Sequence, residues 1–317
     1  MKLSKNLKQI KGDASNRSFF RNKKEKSSSI IVFSKRNKRL NLLVYDSINK
    51  IFIKNNILAP KLISENYSKN FIEIQDLGNC TIFNFLKTNY KKKLFIFKKI
   101  INILNKIQLI KDKKIKNFKK KNYIIPKYTS KLLLEEAKLF SNWYVPQILP
   151  YKNQLKFKKD YEKIIKILIK KISLKNDCLV HRDFHVSNLM FKNNKIGVID
   201  SQDAMIGNKA YDVASLIDDV RFETSNNFKE KILNIYLRSQ KNLNIKKFEN
   251  DFLIISVLRN LKIIGIFTRL AIRDNKKGYL KLIPYTWSLI KNRSKKSDMF
   301  NELNNLLIKN FNKNFYK

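Results

Sequence analysis

His181, Asp183, Asn188 and Asp200 fall in one short stretch, V-H-R-D-F-H-V-S-N-L-M-F-K-N-N-K-I-G-V-I-D, running from Val180 to Asp200. An amide oxygen from Asn188 and a carboxylate from Asp200 are hard oxygen ligands of the kind that suits Mg²⁺. Asp183 precedes them on a loop, where a carboxylate can accept a proton from a substrate hydroxyl. Proton acceptor, metal amide and metal carboxylate together are the working parts of a phosphoryl-transfer site. His181 reads as a brace beneath the loop, hydrogen-bonded rather than reactive.

Those groups act together only if the chain folds back between them. Two apolar runs, 189–191 and 196–199, flank a polar Lys-Asn-Asn-Lys tip. This pattern predicts a β-hairpin turning at Asn193 and Asn194, because Asn tolerates the positive φ of a tight two-residue turn. The fold-back sets Asn188 and Asp200 level to within about one residue of register.

The spacing His181-x-Asp183-x-x-x-x-Asn188, then Ile199-Asp200, then Gly207-x-x-x-Tyr211-Asp212-Val213-Ala214 resembles the aminoglycoside phosphotransferase family of small-molecule kinases. Protein kinases carry a similar loop, but Phe-Gly follows their second Asp, whereas Ser201-Gln202-Asp203 follows here. Three further stretches resemble the bacterial branch that phosphorylates N-acetylmuramate and N-acetylglucosamine at the anomeric hydroxyl. They are Gly12-Asp13-Ala14-Ser15-Asn16-Arg17, the run 132–144 and the run 259–274.

The resemblance implies an α+β, two-lobed, protein-kinase-like fold, with a small and mainly β N-lobe over residues 1–78. A large helical C-lobe, 79–317, would carry the catalytic hairpin and the acceptor site. ATP and Mg²⁺ are the implied cofactors. Asp183 would act as base, with Asn188 and Asp200 holding the metal and Asp212 bracing the loop. Nucleotide contacts are expected from Ser15 and Arg17 near the first turn, from Lys35, and from an interlobe hinge at Glu73 to Gly78. At that hinge, Glu73 and Asp76 lie on an edge strand whose backbone would hold the adenine. The amino sugar would be met by Glu135, Trp143, Tyr144, Arg182 and Arg269. Trp143 also reads as an inward-packing helix residue.

One departure bears on the nucleotide. Kinases place a lysine on the third strand to pair with the phosphates, but Ile30-Ile31-Val32-Phe33 contains none. Lys35 follows just beyond, Arg17 precedes on the neighbouring strand, and residues 40–55 offer no Glu as partner. Other acceptors, such as an aminoglycoside or a choline-like amino alcohol, fit the same chemistry. A non-catalytic nucleotide- or polyanion-binding protein on this fold is the alternative of a different class.

Composition narrows the field. Lys and Arg total 68 against 25 Asp and Glu, a net charge of +43. Such a charge invites nucleic acid, yet the lysines are spread over every predicted element rather than gathered on one face. Lys, Asn and Ile, all with A/T-rich codons, crowd the whole sequence. We therefore expect no specific nucleic-acid partner, and a small-molecule substrate instead. Cys80 and Cys178 are far apart and outside metal-ligand spacing, which fits a reducing, cytoplasmic setting. Residues 1–10 lack the apolar segment of a signal peptide, and no window suits membrane insertion.

Strands are expected at 18–21, 30–33, 62–66 and 71–74, with helices at 40–55, 81–89, 92–110, 128–143, 155–172, 208–223 and 253–272. Two closing helices are expected within 279–315.

Overall fold

The hairpin forms as the two asparagines require. In the computed structural model, which describes residues 7–10, 17–23, 25 and 27–315, with side chains to 312, Asn193 and Asn194 have φ of 49° and 58°. Both central residues are left-handed, the condition for a type I′ turn. Val198 pairs with Leu189 across the strands, and the Ile199 N–H donates to the Asn188 carbonyl at 3.1 Å. Asp200 therefore stands one residue beyond the partner of Asn188, the register expected.

The chain divides into two compact units, 1–126 with 178–206, and 127–177 with 207–317. In the first, a five-stranded antiparallel sheet comprises β1 (Leu7–Ile10), β2 (Arg17–Lys23), β3 (Ser28–Ser34), β4 (Leu62–Asn66) and β5 (Phe71–Gln75), in the order β1-β2-β3-β5-β4. Helix α1 (Leu40–Lys54) covers one face. Ile30, Val32, Ile72 and Ile74 alternate inward along the strands and meet Leu42 and Tyr45 of the helix. Period-two alternation against a helical stripe is what a half-buried sheet demands.

Helices α2 (Ile82–Thr88) and α3 (Lys93–Leu109) and the short pair β6 (Lys114–Lys116) and β7 (Asn122–Ile124) follow. Strand β8 (Cys178–Val180), the hairpin strands β9 (Leu189–Lys192) and β10 (Lys195–Val198), and β11 (Met205–Gly207), which pairs with β8, complete the unit. The edges of the hairpin are capped by distant backbone. Phe191 N–H donates to the Cys80 carbonyl and Val198 N–H to that of Leu58, each at 2.8 Å. Those bonds tie the catalytic stretch to the unit that holds the sheet.

The second unit is helical: α4 (Ser130–Leu139), α5 (Val145–Ile148), α6 (Tyr151–Lys170), α7 (Ala210–Ile217), α8 (Asn226–Arg238), α9 (Ile245–Arg273), α10 (Ile283–Ser294) and α11 (Asn301–Phe315). Between α4 and α5 one π-helical turn, Phe140–Tyr144, widens the backbone. Its Phe140 lies in an aromatic core with Tyr144, Phe157, Tyr161, Trp287 and Phe311, ring centroids 5.3–6.3 Å apart. Such offset and edge-on ring contacts add to the area buried.

Where the elements differ from expectation, packing decides. The helix expected over 208–223 spans only Ala210–Ile217, because Asp218 and Asp219 turn their carboxylates to local and buried partners. Helix α8 carries more polar than apolar residues and gives a weak stripe, but Ile232 and Tyr236 are buried. The expected 253–272 helix extends back to Ile245, where the Asn244 side chain caps it by accepting the Lys247 N–H at 2.9 Å.

Candidate active site

Asp183 is held on both of its oxygens. His185 Nε2 lies 3.1 Å from Oδ1, and Asn188 Nδ2 donates to Oδ2 at 3.1 Å and to the Asp183 carbonyl at 3.0 Å. The carboxylate side chain nevertheless keeps 45% of its exposure. The loop beneath is fixed by His181, fully buried, whose Nε2 donates to the Ile199 carbonyl at 2.9 Å and whose ring stacks on Phe52.

Asp200 sits at the end of the hairpin in the left-handed region, φ 64°, ψ 37°. A non-glycine residue there costs about 1–3 kcal/mol and persists only where its neighbours over-determine it. Three groups do so. Arg17 forms an ion pair with Oδ1. The buried Tyr45 ring lies against that guanidinium, its centroid 5.4 Å away, and burial pushes its phenol up to about 12. Asn49 accepts from the Ser201 hydroxyl at 2.7 Å. Arg182 is also left-handed, at φ 72°, and its guanidinium donates to the Asp203 carbonyl at 3.2 Å.

The donor set fits a divalent cation. Because Asn188 spends its amide nitrogen on Asp183, the opposite end of the amide, its oxygen, is the atom left for an ion. Asp200 contributes a carboxylate whose Oδ2 lies away from the oxygen that Arg17 holds. Among the described residues no group of three or more His, Cys, Asp and Glu gathers into a metal site. Two protein oxygens completed by phosphates and water is the habit of Mg²⁺ rather than of zinc.

The expected nucleotide residues are placed less uniformly. Ser15 lies outside the described residues. Lys35 is exposed at the start of a short turn after β3. Glu73 is not on an edge: β5 lies between β3 and β4, and the Glu73 carboxylate accepts from Ser29 at 2.5 Å and Ser64 at 3.0 Å. The Gln75 N–H is likewise taken by the Lys61 carbonyl. The edge-strand expectation fails because β4, which precedes β5 in sequence, pairs on its outer side. Asp76 is engaged by Arg21 Nε at 2.6 Å and by the Gly78 N–H at 2.8 Å, while its carbonyl accepts from Lys192 of β9 at 3.1 Å. Burial raises its pKa, but Arg21 and the Gly78 amide outweigh that and hold it below the usual carboxylate range. Gly78, at φ 98°, makes the turn that closes this Asp76 loop.

The residues expected to meet an acceptor lie in the second unit, apart from Arg182. Tyr144 is not a platform: it is 6% exposed, its ring is packed among Phe140, Trp287 and Phe311, and its hydroxyl accepts from Trp287 Nε1 at 3.3 Å. The π-turn rotates Tyr144 into the core and leaves its neighbour Trp143 half-buried, the reverse of the inward packing read for Trp143. Glu135 is exposed and near Lys138 at 3.4 Å. Its neighbour Glu136 is buried and takes Tyr128 Oη at 2.5 Å and Lys262 Nζ at 2.8 Å. Arg269 is half-buried, with Nε buried and unpartnered among the described residues. Burial and nearby Arg273 lower its pKa. Asp212 is fully buried in the first turn of α7.

Sequence reasoning passed over His185, Tyr45 and Asn49. His185, only two residues after Asp183, was the one with a local signal. Tyr45 and Asn49 reach the site from a helix about 150 residues upstream of Asp200, and only the fold brings them there.

A sheet with one covering helix, followed by a hairpin bearing an Asp–Asn–Asp set and a helical unit, defines an α+β protein-kinase-like fold. Solved structures share it. The aminoglycoside phosphotransferase APH(4)-Ia matches with a TM-score of 0.63 at 10% identity, over 90% of this chain and 93% of that one. A choline/ethanolamine kinase family protein from Mesorhizobium loti gives 0.61 at 10% identity, over 95% and 92%. In sequence, the phosphotransferase enzyme family matches residues 97–244, which include the whole catalytic stretch. Curated relatives are the N-acetylmuramate/N-acetylglucosamine kinases of Neisseria meningitidis serogroup B, 27% identical over 86% of this chain and 80% of the relative, and of Pseudomonas putida, 26% identical over 88% and 80%. The catalytic stretch therefore lies within a region similar to the phosphotransferase enzyme family, and the chain is a phosphotransferase.

Proposed function

We propose that the protein is an ATP-dependent kinase of a small polar acceptor, and that the acceptor is the anomeric hydroxyl of N-acetylmuramate or N-acetylglucosamine, as in cell-wall sugar recycling. The observation that carries the chemistry is Asp183 held by His185 and Asn188 beside the Asp200 end of the hairpin. The names of relatives aligned over most of both chains support the acceptor. The ADP-bound aminoglycoside phosphotransferase APH(2'')-Ib, a neighbour in fold, supports the nucleotide.

In this reading Asp183 orients the acceptor hydroxyl and takes its proton as the oxygen attacks the γ-phosphorus. Asn188 and Asp200 would hold Mg²⁺, which when bound neutralises charge on the β- and γ-phosphates. His181 keeps the loop against Ile199, and Asp212 contributes a brace. Lys35, exposed after β3, is a cation available to the nucleotide end, Arg17 being committed to Asp200, and the Asp76 loop forms part of the hinge. Among the acceptor contacts, Glu135, Trp143, Arg182 and Arg269 remain; an N-acetylmuramate carboxylate would relieve the unpartnered Arg269 through charge-assisted hydrogen bonds. No helix among the described residues is long and apolar enough to cross a membrane, and Cys80 and Cys178 are free thiols; both accord with a cytoplasmic setting.

The test is acceptor-dependent ADP release across amino sugars, amino alcohols and aminoglycosides, with phosphorus NMR of the product. Phosphate on the anomeric oxygen of either N-acetylated sugar is the expected result. Phosphate at the 6-position, or robust turnover of an amino alcohol with neither sugar active, overturns the acceptor and leaves the kinase.

A further inference from the structure

The missing third-strand lysine leaves a gap that another cation fills by a different route. Arg17 is the first residue of β2 and stands in register with Ser34 at the end of β3. Its guanidinium is 3% exposed and makes an ion pair with Asp200 Oδ1. Phe19 and Tyr45 present ring faces to it, with centroids at 5.3 and 5.4 Å. A cation so buried needs its anion, and cation–π contact adds a further restraint on its position.

We propose that Arg17 is the positioning residue for Asp200: it fixes one carboxylate oxygen so that the other is presented to the divalent cation, and with Tyr45 and Asn49 it couples sheet, helix α1 and hairpin in place of a lysine–glutamate pair. Arg17 takes the Asp200 side chain and Asn49 the hydroxyl of the following Ser201, while the Tyr45 ring backs the guanidinium. These contacts converge on the residue whose backbone is left-handed. The planar guanidinium suits this role better than an ammonium, because it stacks between rings while donating in a fixed direction.

The inference rests on the reading of Asp200 as a metal ligand. It differs from a direct phosphate contact by Arg17, and the two are separable. The experiment measures Mn²⁺ affinity by electron paramagnetic resonance, with a non-hydrolysable ATP analogue present. The proteins are the wild type, Arg17→Ala, Arg17→Lys, Asp200→Ala and the Arg17→Ala/Asp200→Ala double variant. No acceptor or turnover is needed, so failure of the sugar assignment leaves this measurement unaffected.

If Arg17 acts through Asp200, Arg17→Ala weakens Mn²⁺ about tenfold or more, and the double variant is no weaker than Asp200→Ala alone, since interacting residues are non-additive. Arg17→Lys recovers part of the affinity. In turnover, Mg²⁺ dependence of kcat shifts upward while KM for nucleotide at saturating Mg²⁺ stays near that of the wild type. Additive losses in the double variant, or raised KM for nucleotide with unchanged Mn²⁺ affinity, overturn the proposal in favour of a phosphate contact. Should Arg17→Ala not fold, Arg17→Lys alone and combined with Asp200→Ala gives the same comparison.

Discussion

Asp183 is restrained at both oxygens yet open to solvent, a combination that suits a group that must meet a substrate proton in one orientation. Asp183→Asn keeps the shape and loses the basicity. We expect kcat to fall roughly 10²- to 10⁴-fold, the usual worth of a general base, with nucleotide affinity near that of the wild type by equilibrium binding; full activity in the variant removes Asp183 from the role. His185→Ala should cost less, because the Asn188 contact at 3.1 Å persists. At this scale the sequence is most legible where chemistry needs particular side chains close along the chain. Asp183, Asn188 and Asp200 are separated by one hairpin, and local pattern suffices to bring them together. The anchors of Asp200 come from strand β2 and helix α1, 183 and about 150 residues away, and no local pattern encodes that meeting. Trp143 and Tyr144 were legible as aromatic but not as to which one turns inward, because a single π-turn decides it.

Gly265 shows what an element can hide from its sequence. It lies mid-way along α9, where a glycine weakens a helix by about 1 kcal/mol relative to alanine. A Cβ there would stand 2.3 Å from the Leu139 carbonyl carbon and 2.6 Å from the Phe140 nitrogen. Only glycine lets α9 approach the backbone where α4 passes into the π-turn. Gly265→Ala should therefore destabilise by about 1–3 kcal/mol or more through overpacking, despite its better helix propensity; an unchanged or raised melting temperature contradicts the close approach. Asp218, at the end of α7, joins that helix to α9 and α10 by accepting from Ser256 and, at 2.8–2.9 Å, from Arg293. Burial alone would raise its pKa, but Arg293 and Ser256 hold it below the usual carboxylate range. A folded-state pKa below the unfolded one means that the pair's stability is fully present above about pH 4 and is lost as pH falls through the folded value. Asp218→Asn leaves Arg293 buried beside a neutral group, at a cost of about 3–5 kcal/mol. Denaturant titrations should show that wild-type excess at neutral pH and its shrinkage on acidification. A constant difference down to strongly acid pH counts against the ion pair.

For the molecule as a whole, a net charge of +43 is the property that misleads most. The structure shows how it is carried. In α6 the buried residues are Phe157, Tyr161, Ile165, Leu168 and Ile169, and most of the lysines between them are exposed. A core stripe with solvated cations around it recurs in α3, with Ile96, Ile100 and Leu104 buried and Lys98 exposed. Charge of this kind follows the solvent-facing positions of whatever helix is present and does not require a nucleic-acid-binding face. It still attracts polyanions through counterion release, whose free energy depends on the number of phosphates neutralised and falls linearly with the logarithm of salt. The protein is therefore expected to bind duplex DNA and single-stranded RNA weakly, without sequence preference, and to release both as salt rises from about 0.05 M to about 0.2 M. Filter binding across that range, with competitors of differing sequence, makes the measurement. ADP release assayed beside it should not respond to added polyanion at the higher salt. Sequence-selective binding that survives about 0.2 M salt would overturn this account, because specific contacts persist where counterion release alone has faded.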